Sequence, residues 1–280
     1  MGGRSDANLA SRLSAGPDTD MAEDSSPEHA RLIRKLETIA VLSNAEKQAL
    51  AGIPLRLKSF EEDTDLSREG EAPTECCLVI DGLVCRYKVL GAGQRQIMSL
   101  HLPGDIPDLQ SLHLGVLDHS LGSLTAGRAA YLPHAAVRDL TDRFPNITAA
   151  FWRDTLIDAA VSREWLAGVG RRTAHQRVAH LICEVFVRSR ALHLMEERLF
   201  ELPVTQAELG DALGLSTVHV NRVLQDLRRD DLITWRSKSI LVKDWERLRL
   251  AGDFDPAYLH LLDSPASYAS PEPLRAVAKV

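Results

Sequence analysis

Residues 205–227 read TQAELGDALGLSTVHVNRVLQDL and predict two short helices joined by a tight turn. Thr205 and Glu208 have the spacing of a capping box, in which each side chain accepts a hydrogen bond from the other residue's backbone amide. Gly214 supplies the left-handed residue of the turn, and Ser216 caps the second helix. These signals agree, and together they predict a helix-turn-helix.

The second helix of this motif is amphipathic. At roughly 100° per residue its apolar side chains fall on one face, opposite a polar face. Gly210, in the first helix, has no side chain where the two helices must cross. The residues predicted to form the small core between the helices are Leu209, Leu213, Leu215, Val220 and Val223.

The polar face carries the side chains that read base edges in DNA. Arginine binds guanine, asparagine or glutamine binds adenine, and the methyl groups of threonine or valine contact the thymine methyl. A hairpin predicted over residues 232–242 adds a wing with a basic tip, placed to meet phosphates. The alternative is two packed surface helices with no nucleic-acid role. The predicted DNA-binding residues are Thr205, Gln206, Ser216, Thr217, Val218, His219, Asn221, Arg222, Gln225, Arg236 and Lys238.

The overall charge argues mildly against nucleic acid, but it is divided unevenly. The 280 residues hold 33 Lys and Arg against 39 Asp and Glu, a net charge of −6. Residues 171–249 are net positive, so the acidic excess lies elsewhere. No apolar run of about 20 residues predicts a membrane span, and the first twenty residues lack the apolar block of a secretory signal. We therefore expect a cytoplasmic protein of two domains.

The segment from Leu55 to Pro133 predicts a small barrel or roll, because short β-rich runs alternate with glycines. Asp81-Gly82 lies between two such runs and predicts a hairpin with a type I′ turn. That hairpin would place Cys76 and Cys85 on one face. A further strand is predicted over residues 96–102.

Helical spacing is predicted on both sides of this roll. An N-terminal helix is expected within residues 28–50, a short helix over 135–143, and a long helix from Pro145 to about Gly168. The length of the long helix suggests a spacer or a dimer seam. Gly168 and Gly170 predict a hinge, after which residues 171–190 form another helix.

A roll, a long helix and a winged helix-turn-helix in this order resemble the CRP/FNR family of bacterial transcription regulators. The resemblance covers residues 30–245, and its marks are LVIDG (78–82), the run from Gly93 to Leu102, PGD (103–105) and LGLSTVHVNR (213–222). It implies an α+β fold with an N-terminal antiparallel β-roll similar to a cyclic-nucleotide-binding domain, a central dimerisation helix and a C-terminal winged helix-turn-helix.

The resemblance also implies a homodimer that binds an inverted repeat in double-stranded DNA, with RNA polymerase as a further candidate partner. Two recognition helices about 34 Å apart would enter successive major grooves. The expected divisions are a disordered tail (1–27), the roll with its N-terminal helix (28–134), the connecting and dimerisation helices (135–169), the winged helix-turn-helix (170–250) and a C-terminal extension (251–280).

The predicted recognition helix departs from the family at one position. Many members have glutamate where Val218 stands, and that glutamate reads cytosine, whereas Arg222 matches the family's arginine. We therefore expect one base of the half-site to change, with the Val218 methyl groups favouring thymine.

The effector pocket departs further. Cyclic-nucleotide-binding members have a Gly-Glu pair for the ribose and an Arg-Ser/Thr pair for the cyclic phosphate, where this chain has Asp108-Leu109 and His119-Ser120. Leu109 cannot accept a hydrogen bond from a ribose hydroxyl, and neutral His119 is a poor substitute for a guanidinium. With Asp105, these residues form a degenerate pocket. We expect no binding of cAMP or cGMP and leave an unknown small ligand open.

Cysteine placement argues against an iron–sulfur centre. Oxygen-sensing members of the family carry a cluster of N-terminal cysteines, whereas residues 1–75 contain none. Cys76, Cys77 and Cys85 are candidate redox residues, and the alternative is that they are small buried hydrophobes. A further alternative is a haem or metal held by histidines without ligand-motif spacing: His101, His113, His119 and His134.

The resemblance assigns the apolar residues of the long helix to the dimer interface or to packing on the roll. These residues are Ile147, Phe151, Ile157, Val161 and Trp165. The predicted function is a homodimeric, sequence-specific transcription regulator rather than an enzyme. One alternative is a constitutive DNA-binding dimer whose roll has no effector. The other is a cupin-like metal enzyme, which would need clustered histidines and glutamates on facing strands.

Overall fold

The computed structural model describes residues 26–262. Its helices are α1 (Pro27–Glu37), α2 (Asn44–Ala51), α3 (His134–Arg143), α4 (Pro145–Arg171), α5 (Ala174–Ala191), α6 (Gln206–Leu213), α7 (Thr217–Arg229) and α8 (Trp245–Ala251), with 3₁₀ turns at Leu109–Leu112 and Pro256–Leu259. Its strands are β1 (Arg56–Phe60), β2 (Asp65–Ser67), β3 (Glu75–Asp81), β4 (Val84–Val89), β5 (Arg95–His101), β6 (Ser120–Ser123), β7 (Gly127–Pro133), β8 (Met195–Glu196), β9 (Leu199–Glu201), β10 (Ile233–Arg236) and β11 (Ser239–Val242).

Two antiparallel sheets form the predicted β-roll. One has the strand order β1-β7-β3 and the other β2-β6-β4-β5. The outer face of the first sheet packs against α1, α2, α3 and the start of α4, in a core that includes Leu36, Leu78, Leu132 and Phe151. Its inner face meets the second sheet, in a cluster that includes Val79, Val84 and Leu121. The second sheet shares a core with the C-terminal helices, because Leu100 and Cys85 lie in one cluster with Ile182 of α5. The roll is therefore packed against the DNA-binding domain as well as against α4.

The predicted hairpin at Asp81-Gly82 is wrong. β3 and β4 belong to different sheets, so the chain crosses from one sheet to the other at Gly82, where φ is +86°. A Cβ at Gly82 would lie 2.9 Å from the carbonyl oxygen of Ala126, which leaves no space for a side chain. Cys76 pairs with Leu132 and Cys85 with Leu100, so the two cysteines do not share a face.

The N-terminal helical pattern is divided into two helices. α1 ends at Glu37, and Ser43 starts α2 with a capping box, since its hydroxyl accepts from the Glu46 amide and Glu46 accepts from the Ser43 amide. The apolar spacing continues across this break because both helices cover the same sheet.

The predicted hinge at Gly168 and Gly170 is also wrong. α4 continues through both glycines to Arg171. The chain turns instead at Arg172, whose backbone is extended (φ −74°, ψ 146°), and Thr173 then caps α5 with a capping box. Glycine inside a helix lowers its stability without ending it.

The winged helix-turn-helix has the predicted form. Thr205 and Glu208 form the capping box of α6, Gly214 adopts the left-handed conformation (φ 63°, ψ 41°), and the Ser216 hydroxyl accepts a hydrogen bond from the His219 amide. The wing strands β10 and β11 extend a sheet that continues through β9 and β8, two short strands that no pattern in the sequence indicated.

The chain beyond α8 packs back onto the molecule. Tyr258 donates a hydrogen bond from its hydroxyl to Glu184 of α5 at 2.9 Å, and its ring stacks on that of His180. The Leu262 amide donates to the Thr38 carbonyl at 2.9 Å. Residues 252–262 of the predicted extension therefore connect the C-terminal domain to the N-terminal helices. The predicted tail up to residue 25, and the extension from residue 263, lie outside the described residues.

Gly210 gives a direct test of the helix crossing. A Cβ at this position would lie 2.5 Å from the Leu215 carbonyl oxygen, so Gly210→Ala should destabilise the protein by about 1–3 kcal/mol and lower the thermal unfolding midpoint. The matched control is Gly170→Ala in α4, where no atom lies within 4 Å and alanine should stabilise by about 0.5–1 kcal/mol. Equal midpoints for the Gly210 variant and the wild type would contradict the close crossing.

Candidate nucleic-acid interface and effector pocket

The predicted reading face of α7 is open to solvent. Thr217, Val218, Asn221, Arg222 and Gln225 are all exposed, and Val218 retains 69% of its accessible surface. The opposite face is buried, as its amphipathic pattern predicts: Val220, Val223, Leu224 and Leu227. The α7 helix is therefore held by its apolar side while its polar side remains free for a ligand.

Three amide side chains on this surface are hydrogen bonded in a row. Asn221 Nδ2 donates to Gln206 Oε1 at 3.2 Å, and Gln225 Nε2 donates to Asn221 Oδ1 at 2.9 Å. We call this row the amide ladder. Arg222 lies beside it and makes no hydrogen bond or salt bridge with the residues that the structure describes. The guanidinium and the ladder thus present donors and acceptors to the same side.

The remaining predicted DNA-binding residues are exposed as well. Arg236 and Lys238 flank Ser237, which takes the left-handed conformation (φ 52°) at the tip of the wing. Ser216 and His219 are bonded to each other, with 3.1 Å between Oγ and Nδ1. The Thr205 hydroxyl is engaged with Glu208 of the capping box at 2.9 Å, so Thr205 acts first as a helix cap.

The helix-turn-helix is docked on the roll. Arg95 of β5 binds Asp211 of α6 with 2.9 Å between Nε and Oδ2, and Gln96 Nε2 donates to the Ala212 carbonyl at 3.3 Å. These contacts leave the reading face of α7 exposed. Sequence spacing carried no signal for them.

In the predicted effector pocket, the residues after Pro-Gly-Asp are used inside the protein. Leu109 is 5% exposed and belongs to the core of the first sheet. Asp108 is buried and accepts a hydrogen bond from the Cys77 amide at 2.8 Å. Burial raises the pKa of Asp108 to about 7. Neither residue offers a free group to a ribose.

The His119-Ser120 pair is likewise occupied. His119 Nε2 accepts a hydrogen bond from Arg86 Nε at 3.1 Å, while its Nδ1 lies 2.6 Å from Asp118. Burial and the neighbouring Arg86 guanidinium lower the pKa of His119, so the ring is neutral. Ser120 Oγ accepts from the Glu69 amide at 3.0 Å.

Arg86 occupies the centre of this region, a role that sequence reasoning missed. Besides His119, its guanidinium binds Asp158 of α4 at 2.7 Å and donates to the Pro107 carbonyl. Arg86 is 9% exposed, and it joins strand β4 to the long helix. This contact explains why Asp158 interrupts the apolar side of α4: the carboxylate faces the roll.

Asp105 is the centre of a second buried group of charges. It binds Lys35 of α1 at 2.7 Å and Arg188 of α5 at 2.7 Å, and Lys35 also lies 3.3 Å from Asp154 of α4. Arg188 reaches Glu184 at 3.2 Å as well. Burial alone would raise the pKa of Asp105, but Lys35 and Arg188 hold it well below its usual range. We call this group the Asp105 cluster.

A cavity of about 50 Å³ lies beside the Asp105 cluster, between the roll, α4, α5 and residues 259–261. His101 lines it, and burial together with Arg86 lowers the pKa of that histidine to about 3, so the ring is uncharged at neutral pH. The volume suits a few water molecules. Within residues 26–262, no group of three or more His, Cys, Asp or Glu side chains is arranged to hold a metal.

The candidate redox cysteines are buried in separate places. Cys76, Cys77 and Cys85 belong to three different clusters of the core, and each has a free thiol. Burial raises the pKa of all three thiols. Reactive cysteines are accessible and have a lowered pKa, so these side chains have the character of buried hydrophobes.

The five residues predicted for the dimer interface or for packing on the roll pack within this chain, so their assignment to the dimer interface is corrected. Ile147 and Phe151 pack in the core of the first sheet, and Val161 packs in the core shared with α5. Ile157 is 8% exposed, and Trp165 donates from Nε1 to Glu184 at 2.9 Å. These residues face the chain's own roll and α5, because the apolar spacing identifies a buried side without identifying its partner.

α4 carries three large exposed apolar side chains on the side opposite its buried one, with exposed Arg163 between Leu156 and Leu166. Trp152, Leu156 and Leu166 are 63%, 51% and 74% exposed. At 3.6 residues per turn they fall within about 80° of one another, opposite the buried side. We call these three residues the α4 stripe.

No helix within residues 26–262 is both long and apolar enough to cross a membrane.

Comparison with known proteins covers both halves of the chain. A family profile of the cyclic nucleotide-binding domain matches residues 57–144, and one of the Crp-like helix-turn-helix domain matches residues 176–251. The two matches together span more than half of the chain.

Individual relatives agree with these profiles. The transcriptional activator protein FnrL of Cereibacter sphaeroides is 27% identical over 204 residues, 70% of this chain and 80% of the relative. The transcriptional activator protein anr of Pseudomonas aeruginosa is 22% identical over 207 residues, 74% of this chain and 82% of the relative.

A solved structure shows the same fold. FixK2 of Bradyrhizobium japonicum superposes with a TM-score of 0.62 at 23% identity, over 71% of this chain and 98% of its own. Along this chain, the roll is followed by the long helix and then by the winged helix-turn-helix. The protein therefore belongs to the CRP/FNR family of DNA-binding transcription regulators.

Proposed function

We propose that this protein is a cytoplasmic homodimer that binds an inverted repeat in double-stranded DNA and regulates transcription, with RNA polymerase as a further partner. The observation that carries the proposal is the reading face of α7, where Val218, Asn221, Arg222 and Gln225 are exposed together. Arg222 has no partner among the described residues. A guanidinium beside amides and methyl groups matches the groups presented in the major groove.

The α4 stripe supports the dimer. Trp152, Leu156 and Leu166 form a row of large apolar side chains along one side of α4, and the roll and α5 cover the opposite side. A second copy of the same helix is the occupant that fits, because a twofold axis beside α4 pairs the row with itself. The same axis would present two α7 helices to the two half-sites of an inverted repeat.

We propose that the roll does not respond to cyclic nucleotides. Arg86, Asp108 and His119 are bonded to protein groups, and Leu109 belongs to the core. A constitutive DNA-binding dimer without effector is the second candidate, because this filled pocket suits it equally. Three of the four candidate histidines, His101, His119 and His134, are bonded to protein side chains, and the fourth, His113, is exposed. A metal enzyme has no support from a cluster of metal-binding side chains within residues 26–262.

Calorimetry tests the pocket. Titration of cAMP or cGMP into the purified protein should give no heat of binding, because the groups that would receive the ribose and the phosphate are already bonded. Dialysis against cAMP with a radioactive tracer serves as an independent measurement. A dissociation constant in the micromolar range for either nucleotide would contradict the interpretation.

Arg222→Ala tests the reading face. Loss of a bidentate contact with guanine should cost about 1–3 kcal/mol of binding and abolish the base preference at one position of each half-site. The measurement is selection of binding sites from random DNA. The matched control is Arg143→Ala, which removes an exposed arginine at the end of α3 and should leave the selected site intact. An unchanged preference in the Arg222 variant would refute its assigned role.

Trp152→Asp tests the dimer. A charge at Trp152, the N-terminal residue of the α4 stripe, should convert the dimer to a monomer in sedimentation at micromolar concentration, since the buried carboxylate would have no partner. Val41→Asp is the control, because Val41 is 80% exposed but lies outside α4. A Trp152 variant that sediments as the wild-type dimer would place the interface elsewhere.

A further inference from the structure

We propose that the amide ladder makes Asn221 specific for adenine, with Gln206 and Gln225 as positioning residues on its two sides. The inference rests on the proposed function and adds a base preference to it. Its starting point is the direction of the two hydrogen bonds: Asn221 donates to Gln206 at 3.2 Å and accepts from Gln225 at 2.9 Å.

The ladder uses half of the Asn221 amide and leaves the other half free. A carboxamide has two N–H donors and two acceptor positions on its oxygen. One N–H is given to Gln206 and one oxygen position is taken by Gln225, so one donor and one acceptor remain. Adenine presents N7 as an acceptor and the N6 amino group as a donor in the major groove, and the two sets match.

The ladder also opposes rotation of the Asn221 amide. If the amide were turned by 180°, its oxygen would face the Gln206 oxygen and its nitrogen would face the Gln225 nitrogen. Both contacts would then be repulsive. Asn221 can therefore turn only if the Gln206 and Gln225 amides turn with it. The ladder couples the order of donor and acceptor that Asn221 offers to a base to its two neighbours before DNA binds, which reduces the ordering cost of recognition.

Gln206 can bond Asn221 and a DNA phosphate at the same time. It is the first residue of α6, and the first helix of a helix-turn-helix crosses the phosphates while the second enters the groove. Its Oε1 accepts from Asn221, so its Nε2 is left to donate to a phosphate oxygen. Gln225 lies one turn after Asn221, about 6 Å along α7, and can therefore face a different base pair from Asn221.

Glutamate keeps the side-chain oxygen of glutamine and loses its N–H donors. Replacing each glutamine by glutamate therefore tests the direction of the hydrogen bonds in the ladder. Gln206→Glu retains an oxygen that accepts from Asn221, so the adenine preference should persist while overall affinity falls through repulsion of the phosphate. Gln225→Glu loses the N–H that holds Asn221 Oδ1, so the adenine preference at the position read by Asn221 should fall by about fivefold or more. Selection with Asn221→Ala identifies that position.

Two further variants separate positioning from simple phosphate contact. Gln206→Ala should weaken binding and also reduce the adenine preference. Lys238→Ala, at the exposed tip of the wing, should weaken binding uniformly and leave all base preferences intact. All four residues are exposed, so the substitutions should leave the fold unchanged, which thermal unfolding checks.

The outcomes distinguish this inference from the proposed function. The ladder is supported if the wild-type protein selects a palindrome from random DNA, and if the adenine preference is kept in Gln206→Glu and lost in Gln225→Glu. The reverse pattern, equal behaviour of the two glutamate variants, or a purely uniform loss in Gln206→Ala would overturn the ladder alone. If the wild-type protein selects no palindrome from random DNA, the proposed function and the ladder are both overturned.

Discussion

The carboxylate of Asp105 is the constraint on which the arrangement of the domains depends. It lies in the roll and is buried, and a buried carboxylate is costly unless opposite charges surround it. Lys35 arrives from α1 and Arg188 from α5, each at 2.7 Å. Because Asp154 of α4 shares Lys35, one group of charges joins the N-terminal helix, the roll, the long helix and the first helix of the DNA-binding domain.

The polar side chains of the protein fall into two sets: those bonded to one another between the roll and the helices, and those left exposed on α7. The arginines and carboxylates between the roll and the helices are bonded to one another: Arg86 to Asp158, Arg188 to Asp105 and Glu184. They hold the structure together and leave little for a nucleotide to bind. On α7 the reverse is true, since Arg222 is free and the amides keep unused donors and acceptors. The function proposed here follows from that contrast between a filled pocket and an open helix face.

Local signals in the sequence were sufficient for the helix-turn-helix, because capping boxes and the left-handed Gly214 depend on neighbouring residues. Local signals did not predict features that depend on contacts with residues distant in the sequence. Asp81-Gly82 has the composition of a hairpin turn, but β7 is the partner of β3, and the next strand enters the other sheet. The apolar side of α4 was identified, yet not that the roll covers it. Arg86 and Arg188 were missed because their partners lie 72 and 83 residues away.

DNase footprinting with genomic fragments at low ionic strength shows whether two α7 helices bind DNA together. We expect protection of two half-sites related by a twofold axis, with centres about one helical turn apart, since two α7 helices of one dimer would occupy successive major grooves. Protection of a palindrome would agree with an α7 face that is covered only when DNA is bound. The absence of a protected palindrome on every fragment would contradict DNA binding by paired α7 helices.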